Sequence, residues 1–241
     1  MACHILHPVF KSLKLHYPQK VQGSSTLLMS ESCPNAQMFK YVFPARNNLP
    51  KVGMPEVEIT WYDGGLKPFR PKGMPEGKDL NVGGGAVIFH GSKDTLICGS
   101  SGSQPWLISG RTPASPKTQR EITLSHQMDW VRACKESAET RIEAASDFSI
   151  AGPLNEMVVM GVLAVRLQNL NQILEWNGEN MQFINIPKEA TIKSIIEDGF
   201  KITDGNPTFN KTWTEPVNAQ AFAQEMIHHT YHNGWKLPDM P

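Results

Sequence analysis

The chain has 241 residues, a formal net charge of zero at pH 7, 40% hydrophobic residues and 19% charged ones. That length allows one large domain or two small ones with a proper core, and the balanced charge argues against a nucleic-acid surface or an anchor on acidic lipid. No apolar run approaches the roughly 20 residues needed to cross a bilayer, and no basic stretch leads into an apolar one at the N-terminus to read as a secretory signal.

The opening segment, MACHILHPVFKSLKL, repeats Ile5, Leu6, Val9, Phe10, Leu13 and Leu15 at steps of three and four, the pattern of an amphipathic helix. It lacks the polar cap that usually opens a helix and carries His4 and His7 in its first turns. KVQGSSTLLM and AQMFKYVFPA read as strands ended by Pro and Gly. VEITWYDGG is the clearest strand: Val57, Ile59 and Trp61 alternate with Glu58, Thr60 and Tyr62, and Asp63-Gly64-Gly65 then turns the chain. The breaker-rich stretch GLKPFRPKGMPEGKDLNVGGG reads as a long surface loop.

AVIFHGSKDTLICG predicts a hairpin turning at residues 91–94, and QPWLIS a further strand. HQMDWVRACKES predicts a helix capped by Ser125, with Met128, Val131 and Cys134 on its apolar face. AGPLNEMVVMGVLAVRLQ is the strongest helical pattern. Pro153 suits its first position, and Leu154, Met157, Val158, Gly161 and Val165 form a wide apolar face. LEWNGENMQF reads as a short strand or turn pair. A last helix is expected from near TEPVNAQAF, with Ala219, Phe222, Ala223, Met226 and Ile227 on one face. Strands cluster early and helices at the start and late, without β-α-β alternation. The order predicts an α+β fold: a largely antiparallel open β-sheet with helices packed on one face, in a single domain over residues 1–241.

No glycine cluster follows a strand and opens a helix, as a pyrophosphate-binding loop must. His4 and His7 have no carboxylate nearby in sequence to complete a metal site, and Cys3 points away from their stripe. His228 and His232 stand i,i+4 without a zinc-protease pattern and read as a solvated helix face. Cys3, Cys33, Cys98 and Cys134 show no CxxC spacing, and the apolar settings of TLICG and WVRACK predict buried free thiols. Trp61, Tyr62, Asp63, Lys67 and Arg70 form an aromatic and charged cluster entering a glycine-rich loop. An aromatic face flanked by hydrogen-bonding groups suits a sugar ring, and the same cluster also suits a strand end held by core packing.

In order and spacing, MACHILHPVF, VEITWYDGGLKPFRP, IFHGSKDTLICG, DWVRACKES, SDFSIAGPLNEMVVMGVLAVR, LEWNGENMQF and Gly234-Trp235 resemble the C-terminal domain of the Gfo/Idh/MocA oxidoreductases. This is the glucose-fructose oxidoreductase and inositol dehydrogenase family, and the likeness is to its bacterial branch. In that family a Rossmann domain comes first, carrying the glycine loop and a lysine. The second domain then brings an Asp-x-x-x-His signature. Met-Ala-Cys-His matches its last four positions, so the resemblance implies His4 as the catalytic histidine. The aspartate would precede Met1, and the chain is expected to be the back half of a longer protein.

The implied chemistry is hydride transfer between a nicotinamide and a carbinol carbon of a sugar, glycoside or polyol, with histidine and lysine handling the hydroxyl proton. The cofactor would be NAD or NADP in the full-length family, with none held by this chain alone. The expected partners are a sugar-like small molecule and further copies of the chain through the sheet face, with no nucleic acid and no membrane. A soluble protein of the bacterial cytoplasm or periplasm is expected. The alternative is a stand-alone, non-catalytic carbohydrate-binding or oligomerisation module.

Overall fold

A computed structural model describes residues 1–49, 56–80, 84–112, 125–228 and 230–238. The elements are helix α1 (Ala2–Ser12), strands β1 (Lys20–Ser25), β2 (Gln37–Phe43), β3 (Val57–Tyr62), β4 (Ala86–His90), β5 (Thr95–Gly99) and β6 (Trp106–Leu107), then α2 (His126–Lys135) and α3 (Phe148–Arg166). After them come β7 (Leu174–Asn177), β8 (Gln182–Phe183), β9 (Thr191–Ile192), β10 (Ile195–Thr203), β11 (Asn206–Trp213), β12 (Val217–Asn218) and α4 (Ala219–Ile227). The strand pairs among these are antiparallel, and the fold is α+β. Backbone contacts group the chain into two units, Met1–His16 with Phe69–Val158, and Tyr17–Pro68 with Val159–Pro241.

The second unit is built on a five-stranded sheet in the order β3-β2-β1-β7-β8. Its inner face follows from strict alternation. Phe39, Tyr41 and Phe43 of β2 stand opposite Trp61, Ile59 and Val57 of β3, and all six are buried. Fully burying side chains of this kind contributes on the order of 1.5–3 kcal/mol each. The Phe39 ring stacks on Trp61 at 6.1 Å between centroids and meets Tyr41 edge-on at 5.5 Å. The alternate residues face outward, where Lys40 and Glu58 pair at 2.5 Å in a half-exposed bridge of little energetic weight.

The C-terminal half of α3 lies on the inner face, and two glycines set its distance. A Cβ on Gly161 would strike the Tyr41 hydroxyl and approach the Phe39 ring at 2.8 Å. A Cβ on Gly23 of β1 would meet the Val165 backbone nitrogen at 2.6 Å. Helix and sheet therefore touch backbone to backbone at one point and backbone to ring at the other. Burial pushes the Tyr41 phenol well above its ordinary range, although the Gly161 backbone bonded to it pulls the other way. The length and mean hydropathy of α3, 1.6 over its best window, are those of a helix that crosses a bilayer. Its Leu163, Ala164 and Val165 are buried against the sheet, while Phe148, Val159 and Val162 are exposed.

The sequence pattern had no expectation for residues 195–213, which form a long two-stranded ribbon, β10–β11. Asp204 and Gly205 sit between the paired Thr203 and Asn206 with φ of +51° and +77°, the backbone that a tight two-residue hairpin turn requires. Phe200 and Phe209 pair across the ribbon at 5.5 Å while remaining 59% and 78% exposed.

In the first unit, α1 begins at Ala2 with no side-chain cap and buries Leu6, Val9 and Phe10. The β4–β5 hairpin turns at residues 91–94 as expected, with the Gly91 amide donating to the Asp94 carbonyl at 3.0 Å. Ser125 caps α2, its hydroxyl accepting from the Met128 amide at 3.3 Å.

Other expectations need correction. The buried face of α2 is Asp129 and Ala133, while Met128 and Cys134 are exposed. The buried Asp129 carboxylate receives Arg132 at 3.2 Å and the Ala145 amide at 3.0 Å, so a polar strut occupies the position that an apolar pattern claimed. Helix α3 starts at Phe148, not near Ala151, and Pro153 lies inside it. The Asp147 carboxylate accepts the Ser149 amide at 2.8 Å ahead of the first turn, and the Ser149 hydroxyl holds its pKa below the ordinary carboxyl value. Helix α4 begins after Pro216, and its Met226 is exposed.

Gly161→Ala is expected to destabilise the protein by about 1–3 kcal/mol from overpacking against Tyr41 and Phe39, although helix propensity alone would favour Ala by up to about 1 kcal/mol. Urea unfolding measures the net sign. Asp129→Ala takes the acceptor from the Ala145 amide while Arg132 keeps Glu136 and the Ile142 carbonyl, and the same measurement is expected to show a loss of about 1–3 kcal/mol.

Candidate functional site

His4 is exposed on the first turn of α1, its amide donating to the Met1 carbonyl at 3.0 Å. Pro8, one turn on, has no N–H to give to the His4 carbonyl, a backbone gap inside the helix. None of the described hydrogen bonds engages the His4 imidazole. His7 differs: its Nε2 is buried and has no hydrogen-bond partner among the described residues. Burial, followed by the positive charge of Lys11, holds its pKa below the ordinary value. The two histidines are thus one turn apart, one presented to solvent and one with its Nε2 buried and its pKa lowered.

The Trp61 cluster is held together by Asp63. The Trp61 indole nitrogen donates to Asp63 Oδ2 at 2.8 Å, and Gln37 donates its amide to Oδ1 at 3.2 Å and its side-chain nitrogen to Oδ2 at 3.0 Å. The carboxylate therefore ties the end of β3 to the start of β2. Trp61 is only 9% exposed, with its ring stacked on Phe39. Gly64 turns the chain at φ +66°, where a Cβ would collide with Asn35 and Ala36. Tyr62 is half-buried at the end of the strand and Lys67 is exposed. Arg70 belongs to the first unit, where its guanidinium donates to the Lys78 and Pro75 carbonyls at 3.0 and 2.7 Å and braces its own loop. In that loop Lys78 sits over the Trp106 ring at 3.9 Å. Within this loop Asn81, Val82 and Gly83 lie outside the described residues.

Of the six residues singled out by sequence, the structure joins Trp61 and Asp63 in one hydrogen-bonded group. His4 and Arg70 lie in the other unit. The histidines near the C-terminus do not share a helix, since α4 ends at Ile227 and residues His232–Gly234 form a separate turn. His229 lies outside the described residues. Among the described residues no three His, Cys, Asp or Glu side chains cluster as metal ligands do. Four free thiols are present, of which Cys98 alone is buried and raised in pKa by that burial.

Sequence reasoning missed a polar cavity of about 360 Å³ in the second unit, lined by the end of α3, the start of the segment after β1 and the base of the β10–β11 ribbon. No motif marks it, because its residues come from four separated stretches of chain. No protein-family model and no curated protein matches this chain.

The His7 environment has a measurable consequence. Because the folded pKa is depressed, the unfolded chain takes up a proton first as the pH falls through 6.5, the ordinary imidazole value. The stabilising effect of a neutral His7 is full above that value and is progressively lost below it. Melting temperatures followed across this window are expected to fall with pH, and His7→Gln is expected to flatten that part of the profile.

Proposed function

We propose that this chain is the substrate-domain portion of an NAD(P)-dependent oxidoreductase of the Gfo/Idh/MocA type, acting on a sugar, glycoside or polyol hydroxyl and inactive by itself. The observation that carries the reading is His4, exposed on the opening turn of α1 with its imidazole outside the described hydrogen bonds. An exposed imidazole is available as general acid or base toward a substrate hydroxyl, and a nicotinamide held by the nucleotide-binding half would supply the hydride chemistry. Trp61, Tyr62, Asp63 and Lys67 form the second element of the proposal. In it, Tyr62 and Lys67 present groups to the substrate, while Asp63 fixes the indole and the turn. Support also comes from the sheet, whose outward face of Lys40, Glu58 and Thr60 is left open for a further copy of the chain.

A second reading, a non-catalytic carbohydrate-binding or oligomerisation module, is favoured by the ribbon. Phe200, Ile202 and Phe209 are exposed on one of its faces, and apolar surface of that kind marks interaction sites.

Three mixtures separate the readings: the chain with NAD(P) and a polyol panel, the same with a separately expressed nucleotide-binding half, and the latter with His4→Ala. Hydride transfer, read from reduced nicotinamide absorbance, is expected only in the second mixture. The His4→Ala loss is expected to be on the order of 10²–10⁴-fold. Sugar binding without turnover in all three mixtures would favour the module. Saturable NADH binding to the chain alone would contradict the division of labour proposed.

A further inference from the structure

The cavity at the base of the β10–β11 ribbon differs in chemistry from a second one between β8 and α4. Its lining includes three cationic side chains, Arg166, Lys193 and Lys211, and no carboxylate. Arg166 is fixed: its guanidinium donates to the Met29, Ser30 and Ser32 carbonyls at 2.7, 3.1 and 3.2 Å. These acceptors are neutral, so they orient the fork while leaving its charge in place. Lys211 pairs with Asp198 at 3.3 Å, outside the lining, and Lys193 is exposed at the rim. A second cavity nearby in sequence, of about 310 Å³ between β8 and α4, is lined by glutamines and apolar residues with no charge at all.

The walls are also pre-organised. Gln168 accepts the Ser25 amide at 2.9 Å and donates to the Ser25 hydroxyl at 2.8 Å. Ser194 is held to Thr214 through its amide and carbonyl, at 3.0 and 2.9 Å, and the same bonds fix the chain leading into Trp213 from both strands. Trp213 is 45% exposed and forms part of the lining, an aromatic wall beside the hydroxyls and cations.

We infer that this cavity binds a small ring-bearing anion, a sugar acid or a sugar phosphate. A volume of about 360 Å³ falls at the small-molecule end of ligand pockets, roughly 300–1,000 Å³. The indole face takes the ring, the seryl and glutamine groups meet its hydroxyls, and Lys193 with Lys211 receives the carboxylate or phosphate. The carboxylate and phosphate share the chemistry that recognises them and differ in charge and in number of acceptor oxygens. The inference does not depend on the oxidoreductase reading, because none of these residues belongs to the His4 or Trp61 groups.

The test is calorimetric titration of the full chain with glucuronate, glucose 6-phosphate, glucose and inorganic phosphate, with backbone NMR shifts to place any binding. One or both anionic sugars are expected to saturate a single site and to shift the Ser25 and Ser194 amides. Glucose is expected to bind roughly tenfold or more weakly, the cost of losing a charged hydrogen bond. The stronger of glucuronate and glucose 6-phosphate identifies the anion. Lys193→Glu, an exposed substitution, is expected to weaken binding at least roughly tenfold with unchanged melting temperature, and Trp213→Ala to weaken sugar and not inorganic phosphate. Failure of both anionic sugars to saturate would overturn the inference. So would glucose binding as tightly as they do, inorganic phosphate matching glucose 6-phosphate, or Lys193→Glu binding like the parent chain.

Discussion

The close approach of helix α3 to the sheet, through Gly161 above Tyr41 and Phe39 and through Gly23 beneath Val165, governs much of this structure. Side chains larger than a hydrogen at those points would lift the helix off the strands by the thickness of a methyl group or more. Interiors are close-packed, so such a gap is not refilled without loss. The contact aligns the row Gly23, Phe39 and Trp61 across three strands. It also places Arg166, at the end of the same helix, where it can hold residues 29–32 by their carbonyls. The wall of the cationic cavity thus follows from a packing decision made one turn earlier on the helix.

Carboxylates supply the second layer of organisation. Asp63, Asp129 and Asp147 each accept backbone amides where a strand or helix begins or ends. Asp94 does the same in the β4–β5 turn, receiving the Thr95 amide at 2.8 Å and the Ser109 hydroxyl at 2.5 Å, and that hydroxyl lowers its pKa. Hydrogen bonding to the charged form favours it, and in Asp94 and Asp147 the serine hydroxyl is the main cause of a lowered pKa. Of the two histidines on α1, His4 is exposed and His7 is half-buried.

The period of two in β3, the Ser125 cap and the 91–94 turn were all legible before folding, because each depends on neighbours a few residues away. The α2 face was misread because Met128, Val131 and Cys134 satisfy the helical spacing, whereas burial was decided by Arg132 and the Ala145 amide converging on Asp129. The start of α3 was misplaced because Pro153 is a familiar first-turn residue, yet Asp147 provides a cap six residues earlier. The ribbon went unread although Asp204-Gly205 is a strong turn signal, because its flanking residues, exposed on both faces, show no buried stripe.

Local chemistry in the sequence determined the α+β class, the antiparallel pairing and the uncapped opening helix. These are properties of segments, set by side-chain period, turn conformation and cap availability over distances of a few residues. Tertiary structure alone decided that Asp63 ties Gln37 of β2 to the end of β3 and that the Nε2 of His7 is buried. It also gathered Arg166, Lys193, Lys211 and Trp213 around one cavity. These outcomes depend on which groups folding brings together across separate stretches of chain, and no spacing in one segment encodes that.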